Sequence, residues 1–474
     1  MIDIDALLPG LTFELPETDT VLPSSSPLKD ICTGDELESI FNDAQGTLVA
    51  LKPTIAQYYW VLAACGQIYG LDTDKTGPIQ DLATKYHIDF VVEDVFCMKK
   101  SLQVLGLSQD VDCLNLQHRI LYGKDMGEDI PVSKMVGVFQ KNAAELERLS
   151  NVGWYERMRG AQALALSPGF VVRADREPEF AKMLSKGVVP VRHKPCGTYT
   201  GRITTAAPNA QGLSKEQRQS LYAPHPKILI SADYRQMQPR ILSGLSGDKA
   251  LEELLQDGGD IYKFFASMAY DKQPCDITDE ERKVGKLICL GLVYGMEKPG
   301  LAKHLRKAGI DDAERRASKI HDKLKETFST FYDWQSKLRF RGSPYQIYDE
   351  SRSEGEYKPL GLKLPSQNVL WYQPHTESAR KFANNLAQRA EIEIVADAVR
   401  RFAEATQQEH LTGTGFMLCV HDELIIYCGE REAPRAGDLL KQSMEEAFLE
   451  YPQMPQMRDF VRVSEPSKCW GDLK

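Results

Sequence analysis

The run Ile228-Leu229-Ile230-Ser231-Ala232-Asp233 is short, apolar and closed by an acid. It predicts a buried strand that ends in a carboxylate. Further along, residues 415–428 alternate around the polar turn Val420-His421-Asp422-Glu423-Leu424, the pattern of a β-hairpin. Between and around these strands the periodicity is helical. Residues 278–296 predict a helix that Thr278 and Glu281, three apart, open with a capping box. Residues 377–402 predict a second long helix. From about 45 to 150 the pattern is mostly helical, with polar breaks near Asp72–Gly77 and Gly123–Asp129. Residues 15–28, rich in Pro and Ser, read as a loop or tail. There is no internal repeat. The class is α+β, with strands in the middle and helical insertions around them.

The chain has 474 residues, 42% of them hydrophobic and 26% charged, as in an ordinary globular enzyme. No apolar run approaches the roughly 18 residues of a membrane span. The start, Met1-Ile2-Asp3-Ile4-Asp5, lacks the basic region of a secretory signal, and its acidity argues against an organelle transit peptide. The ten cysteines are scattered and form no CxxC pair, so free thiols in a reducing cytoplasm are the simplest reading. The net charge of −9 is unusual for a nucleic-acid binder until it is located. Residues 1–50 carry ten acids against the single base Lys29, which leaves the rest of the chain near neutral. Within it, 170–227 carries ten Lys/Arg against four Asp/Glu. A neutral body with a basic strip can bind phosphates.

Three sets of residues carry candidate chemistry. Asp233 and Asp422, one at a strand end and one at a hairpin turn, can together hold two Mg²⁺ ions about 4 Å apart. Each alone is weak evidence, since most acids at strand ends are solvated turn residues. Arg282, Lys286, Leu290 and Tyr294 recur every four residues, so two cations and a ring share one helical stripe suited to a nucleotide. The same spacing is that of an amphipathic helix with solvated cations, and residue type alone favours that. Gly291 and Gly295 tilt toward a close approach at this helix, since helical glycine costs about 1 kcal/mol. Arg380, Asn384 and Gln388 form a third stripe. It suits the minor groove, where all base pairs offer similar acceptors, but taken alone it reads more readily as a solvated polar face.

These residues stand in segments that resemble the motifs of family A DNA polymerases, the bacterial polymerase I-like enzymes. Ser231–Asp248, SADYRQMQPRILSGLSGD, resembles motif A, DYSQIELRxLAHLSGD. Arg282–Met296, RKVGKLICLGLVYGM, resembles motif B, RxxxKxxxFGxxYGM. Leu418–Leu424, LCVHDEL, resembles motif C, xQVHDEL. Thr200–Gln211, TGRITTAAPNAQ, resembles TGRxSSxxPNxQ, and Arg380, Asn384 and Gln388 fit RxxxNxxxQ. The five segments stand in the family's order across roughly 195–430, and the first 150 residues lie outside the resemblance.

The resemblance implies a right-hand polymerase fold of palm, fingers and thumb. The expected division is an acidic tail at 1–45 and a helical N-terminal region with the thumb at 46–150. The palm follows at 151–255, the fingers at 256–345 and the second part of the palm at 346–474. It implies a DNA-templated DNA polymerase that adds dNTPs to a primer 3′-hydroxyl with two Mg²⁺ ions. Asp233 and Asp422, with the Tyr234 carbonyl, are then the metal ligands. Arg282 and Lys286 hold the triphosphate, and Lys286 also gives a proton to the pyrophosphate. Leu290, Tyr294, Gln238 and Tyr262 line the dNTP site. Arg202, Asn209, Gln211, Arg380, Asn384, Gln388, His421 and Glu423 contact the DNA. The implied partners are primer–template DNA, dNTPs and replication proteins, the implied state a monomer, and the implied source a bacteriophage or bacterium.

Three positions depart from the family pattern. Gln238 stands where motif A has a glutamate associated with excluding the ribose 2′-hydroxyl. Leu290 replaces an aromatic of motif B, and Tyr262 replaces the histidine after Asp260-Ile261. Altered sugar discrimination is the expectation. Arg202 lies 201 residues from the start, and no early Asp-x-Glu exonuclease signature is present. The expectation is therefore an enzyme without 3′→5′ exonuclease or 5′ nuclease. Alternatives are a catalytically silent or partner-dependent primer–template binding module, and an enzyme of the same fold that uses RNA templates or ribonucleotides.

Overall fold

The computed structural model of the chain describes residues 29–31, 34–53, 59–64, 67–72, 79–92, 111–122, 126, 132–172, 187–206, 208–256, 259–293, 295–338, 346–347, 361–371 and 381–473. Tyr294, Arg380 and the first 28 residues lie outside them. The chain forms two compact units. The first takes 1–232, 396–443 and 463–474, and the second takes 233–395 and 444–462.

The first unit opens with a mixed sheet. Its elements are β1 (Lys29–Ile31), α1 (Gly34–Asp43), β2 (Leu48–Pro53), β3 (Tyr59–Ala64), β4 (Gln67–Asp72), α2 (Gln80–Tyr86), β5 (Asp89–Val92) and β6 (Asp112–Cys113). The strand order is β1-β4-β3-β2-β5-β6. β2, β3 and β4 form an antiparallel meander, whereas β5 joins β2, β6 joins β5 and β1 joins β4 in parallel. Helices α3 (Leu114–Tyr122), α4 (Val132–Arg148) and α5 (Val152–Gly160) follow. This corrects the expectation of a mostly helical region at 46–150. Runs such as Leu48–Leu51 are apolar over four residues, and so short a run has no periodicity that separates a strand from a buried helix turn. The acidic stretch is also folded in part. Leu37 and Phe41, four residues apart on α1, are fully buried, and the acids at Asp35 and Glu36 face the positive end of that helix.

The same unit holds β7 (Phe170–Val172), β8 (Val188–Val189), β9 (His193–Lys194), β10 (Thr204–Thr205) and β11 (Leu221–Tyr222). It also holds most of a four-stranded sheet ordered β16-β17-β12-β18, from β12 (Ile228–Tyr234), β16 (Gly415–Val420), β17 (Glu423–Cys428) and β18 (Val461–Val463). The predicted strand and hairpin are both present. Phe170, Leu221, Leu229, Met417, Ile425 and Trp470 build the core here, and the Phe170 and Trp470 rings stack at 5.2 Å.

The second unit is mainly helical: α6 (Met237–Ser246), α7 (Lys249–Leu255), α8 (Ile261–Tyr270), α9 (Asp279–Val293), α10 (Lys298–Lys307), α11 (Ala313–Thr327) and α12 (Ser329–Lys337). A small antiparallel meander, β13 (Gln346–Ile347), β14 (Gly361–Lys363) and β15 (Val369–Trp371), follows. Two helices, α13 (Phe382–Gln408) and α14 (Ala433–Leu449), run through the division between the units, as β12 and β18 do.

One buried side chain that the sequence does not flag pins the hairpin. His193, 4% exposed, accepts the Cys419 amide N–H at Nε2 (3.1 Å), and its Nδ1 lies 2.9 Å from the Leu164 carbonyl. Accepting at Nε2 places the ring proton on Nδ1, which donates to that carbonyl, so the imidazole is neutral. His193→Phe keeps the volume and strands both backbone groups. The expected cost is about 2–4 kcal/mol, read as a fall in unfolding free energy. A loss below about 0.5 kcal/mol would contradict this bridging role.

Candidate functional site

Asp233 is the only exposed residue among the seven of β12, and its neighbours are all buried. The strand is thus held by its apolar sides and presents one carboxylate. Tyr234 anchors the next position: it is 1% exposed, donates its hydroxyl to the Met444 carbonyl at 2.6 Å and stacks on Phe460. The chain then turns at Gln236, whose φ of 56° is costly for a side chain with a Cβ. Its own amide secures that turn, accepting from the Ile261 N–H (2.9 Å) and donating to the Gly259 carbonyl (3.2 Å). Arg240 holds the turn from below. It is fully buried and donates from Nε to the Arg235 carbonyl (2.7 Å) and from Nη1 to the Leu255 carbonyl (2.8 Å). Burial pushes its guanidinium down to about 10.

Asp422 belongs to the first unit, in a two-residue turn closed by the pair Val420 and Glu423. His421, at φ 59°, supplies the left-handed conformation that such turns need, and it is exposed. Glu423 is partly buried, which raises its carboxyl above the usual range, while Ser231 and Arg218 pull it down. Gln211 donates its amide to the Ile203 and Cys419 carbonyls, both at 2.9 Å, and so ties the 203–211 segment to β16. Asn209 is exposed and accepts from the Thr205 hydroxyl, and Arg202 is half-buried.

The predicted capping box opens α9. The Glu281 amide donates to the Thr278 hydroxyl, and the Glu281 carboxylate accepts from the Thr278 amide. Arg282 and Lys286 are brought together over one ring. The Arg282 guanidinium lies 5.0 Å and the Lys286 ammonium 5.8 Å from the centre of Tyr262, which is 7% exposed. Asp260 fixes the arrangement. It caps α8 through the Tyr262 and Lys263 amides and binds Arg282 Nε at 2.6 Å. Gly285 is what lets the helices touch, since a Cβ there would stand 1.9 Å from the Tyr262 carbonyl. The close approach expected at Gly291 is made by the side chain of Met296 within this chain. Gly295 has a φ of 72° and turns the chain after α9. Leu290 is half-buried.

Of the third stripe, Asn384 and Gln388 stand on α13, and Arg380 lies outside the described residues. Asn384 is 9% exposed and accepts from Gln388 at 2.8 Å. The same helix buries two acids that the sequence reading missed. Glu391 (2% exposed) accepts from the Gln238 amide at 2.7 Å, and Glu393 accepts from Asn368 and from the Tyr451 hydroxyl. In Glu391-Ile392-Glu393-Ile394, polar and apolar residues alternate with no helical period, so no pattern singles these acids out.

Among the described residues no three His, Cys, Asp or Glu side chains form a metal cage. Asp233 and Asp422 offer hard carboxylate oxygens of the kind Mg²⁺ takes with substrate phosphates rather than an all-protein cage. Nor is any described helix long and apolar enough to cross a membrane.

The family model described as DNA polymerase family A matches residues 176–457, which contain every motif named above. DNA polymerase I of Aquifex aeolicus is 25% identical over 283 residues, 58% of this chain and 45% of that protein. DNA polymerase I of Lactococcus lactis subsp. lactis is 24% identical over 404 residues, 79% of this chain and 43% of its own length. The chain therefore spans less than half the length of these curated relatives. Among solved structures, the POL domain of Pol1 from M. smegmatis, in complex with DNA primer-template and dNTP, aligns with a TM-score of 0.70 at 17% identity. The alignment covers 94% of this chain and 99% of that one. At that identity the likeness establishes a shared α+β polymerase fold. With more than half of its length matched by the family model, the chain belongs to DNA polymerase family A.

Proposed function

We propose that the chain is a DNA-templated DNA polymerase that adds dNTPs to a primer 3′-hydroxyl and does not proofread. The observation that supports it best is the family match across 176–457, within which Asp233, Arg282, Lys286 and Asp422 stand at motif positions. The 3′-hydroxyl oxygen forms a bond to the α-phosphorus, the bond to the β-phosphate bridge breaks in line, and pyrophosphate leaves. Asp233 and Asp422, with the Tyr234 carbonyl, are the ligands for two Mg²⁺ ions. These ions supply charge neutralisation on the phosphates and a more acidic hydroxyl.

The remaining work falls to side chains. Arg282 and Lys286 bind the triphosphate, and Lys286 delivers a proton to the departing pyrophosphate. Tyr262, beneath both cations, holds their spacing. Gln238 and Leu290 face the sugar. Tyr294 closes on the nascent base pair, and Arg202, Asn209, Gln211, Arg380, Asn384, Gln388, His421 and Glu423 take the primer and template. In such a reaction positioning and electrostatics supply most of the rate. For the absence of proofreading, the support is chemical: no Asp-x-Glu occurs before 150.

A labelled primer annealed to a DNA template, with Mg²⁺ and dNTPs, tests both parts. Matched primers are expected to lengthen, and mismatched ones to persist without shortening. Tight primer–template binding without extension would shift the reading to a binding module. Shortening of the mismatched end by pure protein would remove the second claim.

A further inference from the structure

The geometry points to Glu391 as a positioning residue for sugar selectivity, acting by locking the orientation of Gln238. This rests on the polymerase reading above. Gln238, on α6, donates Nε2 to Glu391 Oε2 on α13 at 2.7 Å. Both residues lie in the second unit. The Glu391 side chain is nearly inaccessible at 2% exposure, so water does not compete for the contact. The Glu391 carboxyl accepts at Oε2, so the amide turns its nitrogen toward Glu391 and its oxygen away. That oxygen is buried and makes no hydrogen bond among the described residues. Among the described residues the amide is therefore held by one hydrogen bond, at its nitrogen end.

A glutamine has three rotatable bonds and can swing aside, whereas a gate against a 2′-hydroxyl works only if it cannot. A glutamate in motif A carries its own charge. Here position 238 is neutral, and the carboxylate that immobilises it comes from α13. Glu391 thus supplies from another helix the acceptor that holds residue 238 in place. Neither residue suggests this alone, since 153 positions separate them in the chain.

The test compares kcat/KM for dNTP and for the matching rNTP in primer extension by the full chain. Glu391→Ala frees the amide, and the dNTP preference is expected to fall about tenfold. If that variant lacks the wild-type thermal transition, Glu391→Leu keeps most of the volume, removes the acceptor, and carries the same expectation. The exchange Gln238→Glu with Glu391→Gln rebuilds the pair with its roles reversed and is expected to return the preference to within about threefold of wild type. A purely structural role would lower both substrates together and leave the ratio alone. The inference is overturned if wild type extends primers while the Glu391 variants keep its ratio, or if the exchange fails to restore it. A wild-type protein that extends nothing removes the polymerase reading itself, and this inference with it.

Discussion

Asp233→Asn and Asp422→Asn are each expected to lose roughly a thousandfold or more of primer extension while keeping the wild-type melting behaviour. Asparagine has the shape of aspartate without its charge, so what each variant removes is an anionic donor. The structural cost is small for a physical reason. Asp233 is exposed while the other residues of its strand are buried, and Ile228, Leu229, Ile230 and Tyr234 hold that strand by their burial. Asp422 sits in a hairpin turn between strands whose pairing is made by backbone groups. Single-turnover extension in Mg²⁺, with a thermal melt as control, checks the expectation. A loss under tenfold at either position would mean that the two carboxylates are not the ligands proposed. Loss of the melting transition would instead assign the residue a structural duty.

Arg240→Ala is expected to give the largest loss of stability, about 3–5 kcal/mol in the second unit. Two effects compete at this site. The guanidinium is fully buried, no acid is among its hydrogen-bond partners, and its Nη2 makes no hydrogen bond among the described residues, so removing the charge relieves a desolvation penalty. Against that, alanine strands the carbonyls of Arg235 and Leu255 and opens a cavity beside Met457 and Phe460. Each stranded carbonyl costs about 1–3 kcal/mol, and the cavity adds to this. The stranded carbonyls and the cavity together outweigh the relieved charge. Arg240→Met fills most of the space and removes the charge while still stranding the carbonyls, so its loss is expected to be about half as large. Thermal melting of both variants ranks them. If Ala and Met proved equal, the cavity would be negligible; if both stabilised the protein, the buried charge would dominate.

The segments proposed to carry chemistry were legible because their signals are short in range. A strand closed by an acid, a Thr-x-x-Glu capping box and a two-residue hairpin turn each depend on residues a few positions apart. Backbone geometry therefore fixes them wherever they occur. The ordered motifs placed Asp233, Arg282, Lys286 and Asp422 by the same local logic. What stayed hidden depends on pairing over distance. The six strands at 29–113 are two to six residues long, and only their association distinguishes them from helix. Asn384 is buried on α13 and accepts from half-buried Gln388, which no count of polar residues foretells. The contacts of His193 with Cys419, Asp260 with Arg282, and Glu391 with Gln238 join groups 226, 22 and 153 positions apart. Such bonds form only after the apolar surfaces have brought distant helices and strands together and excluded the water that would otherwise satisfy these groups. The local sequence determined where the candidate side chains stand on the chain; tertiary burial decided which of their neighbours hold them still.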